Sequence, residues 1–431
     1  RNLHGKTNLL RTIDGPMGLR IALDYAREGN TEKDPESRWT LARVTTHDGV
    51  EIDRALPGSP PGTDARVLRY RYEDGFYDRF EREFYGYARV ISEELDTRGI
   101  SGDAALAALN TLYSRTTTHY DNTTWFTRGL VTEDLHESLA QDAPQGLYSR
   151  VTRTYAPVLA QTGLPMADPR TPDSIFVRLE AEHTFRHEAG AQSLSKTTTY
   201  QYDLFGNVTR MTDSGDTQTT GDEIQADLTY TAANGACQAT NILGLADSIT
   251  VTDLTAGTTL RHRTSTIDCA NGDLLALSQT IAPGQQANSN FTYHPNGNLA
   301  SVTGPENLHG ERYQIAFQYD PTTQTHPAVV TDSFGLTSTT TYDLRFGLPN
   351  EEVDSNLQKI STHYDDFGRV TRIIGPYEQG SPNFTLQYFY HPEAPVPYAR
   401  TAHYDAYRVG DGFETPLFAD ATGRALQHKK D

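Results

Sequence analysis

An all-β fold, built as a long antiparallel sheet of short hairpins, is predicted for this chain by three observations. Segments of alternating polar and apolar residues recur along its whole length. They are separated every few residues by turns rich in Asp, Asn, Gly and Pro. A degenerate unit, Tyr-Asp followed by Gly, marks several of those turns. Alternation with period two is the signature of a strand with one face toward a core, and the turn residues are those that cap or bend a chain.

The composition fits that reading. The 431 residues include 24 Tyr, 16 Phe, 34 Gly and 22 Pro, against 3 Met and 2 Trp. Tyr and Thr favour strands, while Gly and Pro punctuate them. Clear alternating runs are Val67 to Tyr72, Lys196 to Tyr202 and Tyr313 to Tyr319. One stretch predicts a helix, Gly102 to Tyr113, with Ala104, Leu106, Leu109 and Leu112 on one stripe and Asp103 near its start. The run Pro57 to Gly62 predicts a loop too short to separate domains.

The repeat is the decisive feature. Tyr202-Asp203 is followed by Gly206, Tyr364-Asp365 by Gly368, and Tyr293-His294 by Gly297. Tyr342-Asp343 has its glycine one residue later, at Gly347. The Tyr ring packs on a neighbouring strand, the Asp, where present, accepts from turn N–H groups, and the Gly takes a positive φ. A lone hairpin cannot bury its face, so such units must pack edge to edge.

The net charge of −19 repels phosphate backbones and anionic membrane surfaces. No apolar run approaches the roughly 20 residues that span a bilayer. The chain starts at Arg1, and both ends are read as processing boundaries. Two cysteines, Cys237 and Cys269, are either two free thiols or one disulfide. A hairpin folded about Thr255-Ala256-Gly257 would bring them near each other across neighbouring strands, and an oxidising compartment would favour the bridge.

Little else suggests chemistry. His183 and His187 lie among Glu180, Glu182 and Glu188, but on a strand residues four apart are about 13 Å from each other, too far to share a metal. The acidic groups Asp213 to Asp216, Glu351-Glu352, Asp365-Asp366 and Asp411-Gly412 read as turn caps or solvated charges. No nucleophile elbow, phosphate loop or dinucleotide fingerprint occurs. Trp39, Trp125 and the tyrosines could form a sugar platform, although sheet packing is the commoner role. No catalytic, cofactor or metal residue is assigned.

The repeat residues resemble the YD repeat of the RHS family. The segment Asp78 to Val90 resembles one found in Tc insecticidal toxin B components and related virulence proteins. Asn8 to Gly18 resembles the stretch that leaves a preceding β-propeller in that group, and Phe418 to Gln427 a further shared strand, with Ala421 where the family has Gly. The resemblance implies a sheet that spirals into part of a hollow shell. It divides the chain into an N-terminal β segment, residues 1–95, continuous with a YD-repeat wall, residues 96–431. It implies a non-catalytic structural role in a secreted or cell-surface bacterial protein, with the rest of the shell and an encapsulated C-terminal toxin polypeptide as partners. Two other readings stand beside it: a cell-surface adhesin that binds a glycan, and a carbohydrate-active enzyme whose acids are not located.

Overall fold

The computed structural model describes residues 8–49, 65–100, 102–188, 191–407 and 412–430. The Pro57 to Gly62 loop and Asp411 lie outside them. Two compact units divide the chain. One comprises Arg1–Thr229 with Thr250–Leu260, the other Tyr230–Ile249 with Arg261–Asp431.

The first unit carries β1 (Thr12–Asp14), β2 (Arg20–Gly29), β3 (Ser37–His47), β4 (Ala65–Asp78), β5 (Glu83–Leu95), β6 (Leu112–Asp121), β7 (Leu130–Ser138), β8 (Gly146–Leu159), β9 (Ile175–Glu188), β10 (Ala191–Tyr202), β11 (Val208–Asp213) and β12 (Ile224–Tyr230). Each pairs antiparallel with the next, from β1–β2 through β11–β12. Two further strands, β13 (Ala246–Asp253) and β14 (Thr258–Ile267), flank the expected turn at 254–257, which Gly257 closes by donating to the Asp253 carbonyl.

The second unit continues with β15 (Leu274–Ala282), β16 (Gln285–Tyr293), β17 (Leu299–Glu306), β18 (Arg312–Tyr319), β19 (Pro327–Asp332), β20 (Thr337–Asp343), β21 (Leu348–Val353), β22 (Lys359–Tyr364), β23 (Val370–Ile374), β24 (Leu386–His391), β25 (Tyr398–His403), β26 (Phe413–Ala419) and β27 (Ala425–His428). From β14 onward each again pairs antiparallel with its successor. Both units are therefore antiparallel meanders, and the fold is all-β.

The predicted helix is real but shorter. Helix α1 spans Asp103–Ala108, and Leu112 and Tyr113 already belong to β6. The stripe failed to extend because Leu109 is already extended, at φ −67° and ψ 132°, and the chain re-enters the sheet. Leu106 and Leu109 instead plug a small core with Val67 and Leu95. Arg43 holds the helix end by donating to the carbonyls of Leu106 and Leu109. Beneath this plug, Glu93 on β5 is 1 % exposed and bonded to three guanidiniums, those of Arg69, Arg71 and Arg115.

In the second unit β16 and β18 alternate with period two. On β16, Asn288, Asn290 and Thr292 are exposed while Phe291 and Tyr293 are half-buried. On β18, Gln314, Ala316 and Gln318 alternate with Ile315, Phe317 and Tyr319. Register sets Phe291, Val302 and Ile315 in one cross-strand row, with Phe317 opposite Val330 in the next. The polar face is open, and the apolar face is only partly covered. Among the described residues of this unit, the buried apolar ones are Ala232, Cys237 and Ala402.

Candidate functional site: the tyrosine–aspartate turn

Each hairpin marked by the repeat has the same parts. The tyrosine sits at or next to the end of a strand, at a register shift. The shifts fall between Gln201 and Tyr202, Thr292 and Tyr293, Thr341 and Tyr342, and His363 and Tyr364. An extra residue on the returning strand re-aims the tyrosine ring. Its hydroxyl then donates to a backbone carbonyl near the start of the preceding strand. Tyr202 donates to Leu179 at 2.9 Å, Tyr293 to Leu274 at 3.0 Å, Tyr342 to Pro327 at 2.8 Å and Tyr364 to Pro349 at 2.6 Å. Burial pushes the phenols of Tyr202, Tyr342 and Tyr364 upward in pKa.

The aspartate that follows organises the turn. Asp203 accepts from the N–H groups of Phe205 and Asn207, and Asp365 from those of Phe367 and Arg369. The third position after it is left-handed, with Gly206 at φ 87° and Gly368 at φ 77°. Asp343 is the last residue of its strand and accepts from Arg345 N–H, with Gly347 closing the longer loop onto the Asp343 carbonyl. At the Tyr293 turn, His294 stands in the aspartate's place, and Gly297 donates to its carbonyl. The side chain of His294 reaches instead to the Phe317 carbonyl.

The same hydroxyl-to-carbonyl bond occurs at tyrosines outside these four units. Tyr319 donates to Leu299, Tyr390 to Val370, Tyr155 to Val131 and Tyr72 to Leu41. The Tyr319-Asp320 dipeptide was a visible signal, hidden by the missing glycine. There Gln324 takes the positive φ, at 56°, and Asp320 accepts from the amides of Thr323, Thr325 and His326. The backbone N–H of Thr323, opposed by burial and joined by that of His326, holds the Asp320 carboxyl far below its usual range. At the opposite ends of the strands, Asn307, Asp332 and Asp354 head matching turns with no tyrosine before them.

Neighbouring turns touch. The Phe346 ring lies against Gly368, and the His326 ring against Gly347, each leaving a position where a Cβ would meet ring atoms at 3.0–3.2 Å. The Arg369 guanidinium lies 4.4 Å from the Tyr390 ring centre. In the first unit Phe176 covers Gly206 in the same way. The phenols and carboxylates of these turns are thus committed to backbone groups, an arrangement that fixes strand pairs.

The other candidate groups are accounted for in similar terms. Cys237 and Cys269 are bonded, with Cα atoms 4.5 Å apart. They do not face each other across strands as the hairpin reading expected. Cys237 lies in a short helix, α2 (Gly235–Ala239), and Cys269 in the turn after β14, because the chain before β13 folds into a helical insertion. His183 and His187 are on β9, and His183 bonds the Thr197 hydroxyl. Among the described residues, no cluster of His, Cys, Asp or Glu is placed to hold a metal ion. Asp213 pairs with Lys196, and Glu351 with Lys359. Trp125 is covered by Arg128 at 3.6 Å and Trp39 by Arg27 at 4.8 Å, which takes one face of each indole from any sugar. No described helix is long and apolar enough to cross a membrane.

Comparison with known proteins agrees with this geometry. Residues 1–120 match the family described as the insecticide toxin TcdB middle/N-terminal region. No curated protein matches the chain. Among solved structures, the TcdB2-TccC3 crystal structure superposes with a TM-score of 0.71 at 13% identity, covering 97% of this chain and 29% of that one. TcdB2-TccC3 without its hypervariable C-terminal region gives 0.70 at 12%, covering 98% and 31%. The Tc holotoxin pore of Photorhabdus luminescens gives 0.71 at 13%, covering 97% and 30%. The chain spans less than a third of those proteins' length. In sequence over residues 1–120 the chain resembles the TcdB middle/N-terminal region of the insecticide toxins, and over nearly its whole length it shares the fold of TcdB2-TccC3.

Proposed function

We propose that this chain is a non-catalytic wall segment of an RHS-type shell that encloses a C-terminal toxin polypeptide of the same protein complex. The observation that carries the reading is the half-covered apolar face of the second unit. Phe291, Ile315, Phe317 and Val330 lie in cross-strand rows and are only partly buried. An isolated globular domain hides such a face. A wall leaves it available to a guest chain whose own apolar groups are exposed while it is unfolded. The tyrosine bonds and turn caps supply the stiffness that a single layer lacks. The fold shared with TcdB2-TccC3 supports the same assignment. Residues 1–95 would join this wall to an upstream domain, and the secreted or surface location follows from the same reading.

The test uses the full-length native product, purified gently and compared by native elution and denaturing gel. A C-terminal fragment that is cleaved yet co-elutes with the rest is the expected result. A single intact chain, or a fragment that elutes apart, would overturn the reading.

A further inference from the structure

Between β12 and β13 the chain leaves the meander for residues 231–245, which hold a turn of 3-10 helix (Thr231–Ala233) and then α2. A helix of five residues cannot hold itself, since isolated helices are marginal below roughly 12–15 residues. Ties to the turn after β14 add the order it lacks. Cys237 is bonded to Cys269. The Thr240 hydroxyl donates to the Cys269 carbonyl at 2.6 Å. Ile242 and Leu245 lean on Gly272, with methyl carbons 3.6–4.0 Å from where a Cβ would stand there.

The turn, by contrast, holds its own shape. The Asp268 carboxylate accepts from the Ala270 N–H at 2.9 Å, the Asp268 N–H donates to the Asp273 carbonyl at 2.8 Å, and Gly272 donates to the Asp268 carbonyl at 2.7 Å. The two cysteines also differ in reach, for Cys237 is fully buried and Cys269 half-buried. Sulfurs that no longer share a bond must stand farther apart. Breaking the bridge therefore displaces the weakly held insertion, and the self-bonded turn stays.

We propose that this bridge is a redox latch, opened in the folded protein by thiol attack on the Cys269 sulfur. A thiolate of a small thiol bonds to Cys269 Sγ and expels Cys237 Sγ as a thiolate, which takes a proton. A second thiol of the same reagent attacks the reagent sulfur of that mixed disulfide, and Cys269 leaves and is protonated in turn. Two reagent thiols end as one disulfide, and one protein disulfide ends as two thiols. An oxidising medium keeps the latch closed, and a thiol-rich compartment opens it. Residues 231–245 then loosen locally while the backbone-paired strands remain. The proposal needs these residues alone, so it stands whether or not the chain is a shell wall.

The test treats the full 431-residue chain with dithiothreitol at neutral pH without denaturant. Thiols are counted by alkylation and mass, the sheet is followed by circular dichroism, and local order by amide hydrogen exchange. Both cysteines should become alkylated within hours while the sheet signal holds. Exchange in residues 231–245 should quicken roughly tenfold or more, with that in β15 to β20 unchanged, and oxidised glutathione should restore it. Reduced glutathione, quenched early, should leave its adduct on Cys269. A Cys237→Ala, Cys269→Ala variant should exchange fast without reductant, and the reduced wild-type chain gives the same reading should that variant fold poorly. Two free thiols in protein from an oxidising medium, a bridge that yields only once urea unfolds the sheet, an adduct on Cys237, loss of the sheet signal on reduction, or unchanged exchange after it would overturn the proposal.

Discussion

The hydroxyl of Tyr364 donates to the carbonyl of Pro349 at 2.6 Å, joining the end of one strand to the start of the strand before it. Removing the hydroxyl leaves a carbonyl without its partner. Tyr364→Phe should therefore cost about 1 kcal/mol, read as a lower midpoint in urea at unchanged slope. Tyr377→Phe, at a residue 91% exposed, should change nothing measurable.

Alkaline titration should separate the phenols. Burial, reinforced by the Asp34 carboxylate, pushes Tyr87 up to about 12. A raised folded-state value means that this contribution is complete below the unfolded value near 10 and is lost as pH rises toward 12. Absorbance of phenolate should show a late phase that coincides with unfolding. Tyr87→Phe should reduce that late phase.

Acid should act through the turn caps. Burial would raise the Asp420 carboxyl, but the Thr422 hydroxyl with the amide and guanidinium of Arg424 outweighs it and lowers the group to about 2. The stability it lends is present above the unfolded value near 3.9 and is lost as pH falls from there through about 2. Asp420→Asn should cost about 1 kcal/mol at neutral pH and flatten the acid limb of a urea-midpoint profile.

Glu93 is a buried charge at the centre of an arginine cluster in the first unit. It is buried between Arg69, Arg71 and Arg115, whose cations it neutralises. Glu93→Gln leaves those cations together without their counter-ion and should cost about 3 kcal/mol or more. Chemical denaturation at neutral pH measures it, with Glu36→Gln on the surface as the control.

The disulfide should stabilise the helical insertion before β13. With its cysteines 32 positions apart in sequence, the bridge should contribute about 3–4 kcal/mol through the unfolded state. Cys237→Ser should lower the thermal midpoint and expose residues 231–245 to protease ahead of the strands.

The hairpins were legible in the sequence because Tyr, Asp and Gly each have a strict local task. Tyr202, Tyr342 and Tyr364 could be read as strand ends since their neighbours Asp203, Asp343 and Asp365 cap the turn from within it. Turns that meet the same demand with other residues escaped. Leu357 occupies a positive φ of 63° where sibling turns have glycine, so the Asp354 turn carried no glycine signal. Leu357→Gly should be stabilising by about 0.5 kcal/mol, the strain relieved exceeding the added chain entropy. The tyrosine bonds themselves were out of reach, because the acceptor is a backbone carbonyl on another strand and leaves no mark in composition. The cysteine geometry was misplaced for a related reason, since no periodicity announces a five-residue helix.

The tyrosine bond reaches only one strand back, fifteen residues in the case of Tyr364 and Pro349. Contacts of such short range close quickly and need nothing from distant parts of the chain. A sheet made this way can be completed hairpin by hairpin from its N-terminal end, each new pair docking on a finished edge while the remainder is still on the ribosome. Assembly then has a direction, and whatever follows the last strand is the part that arrives after the structure around it already stands.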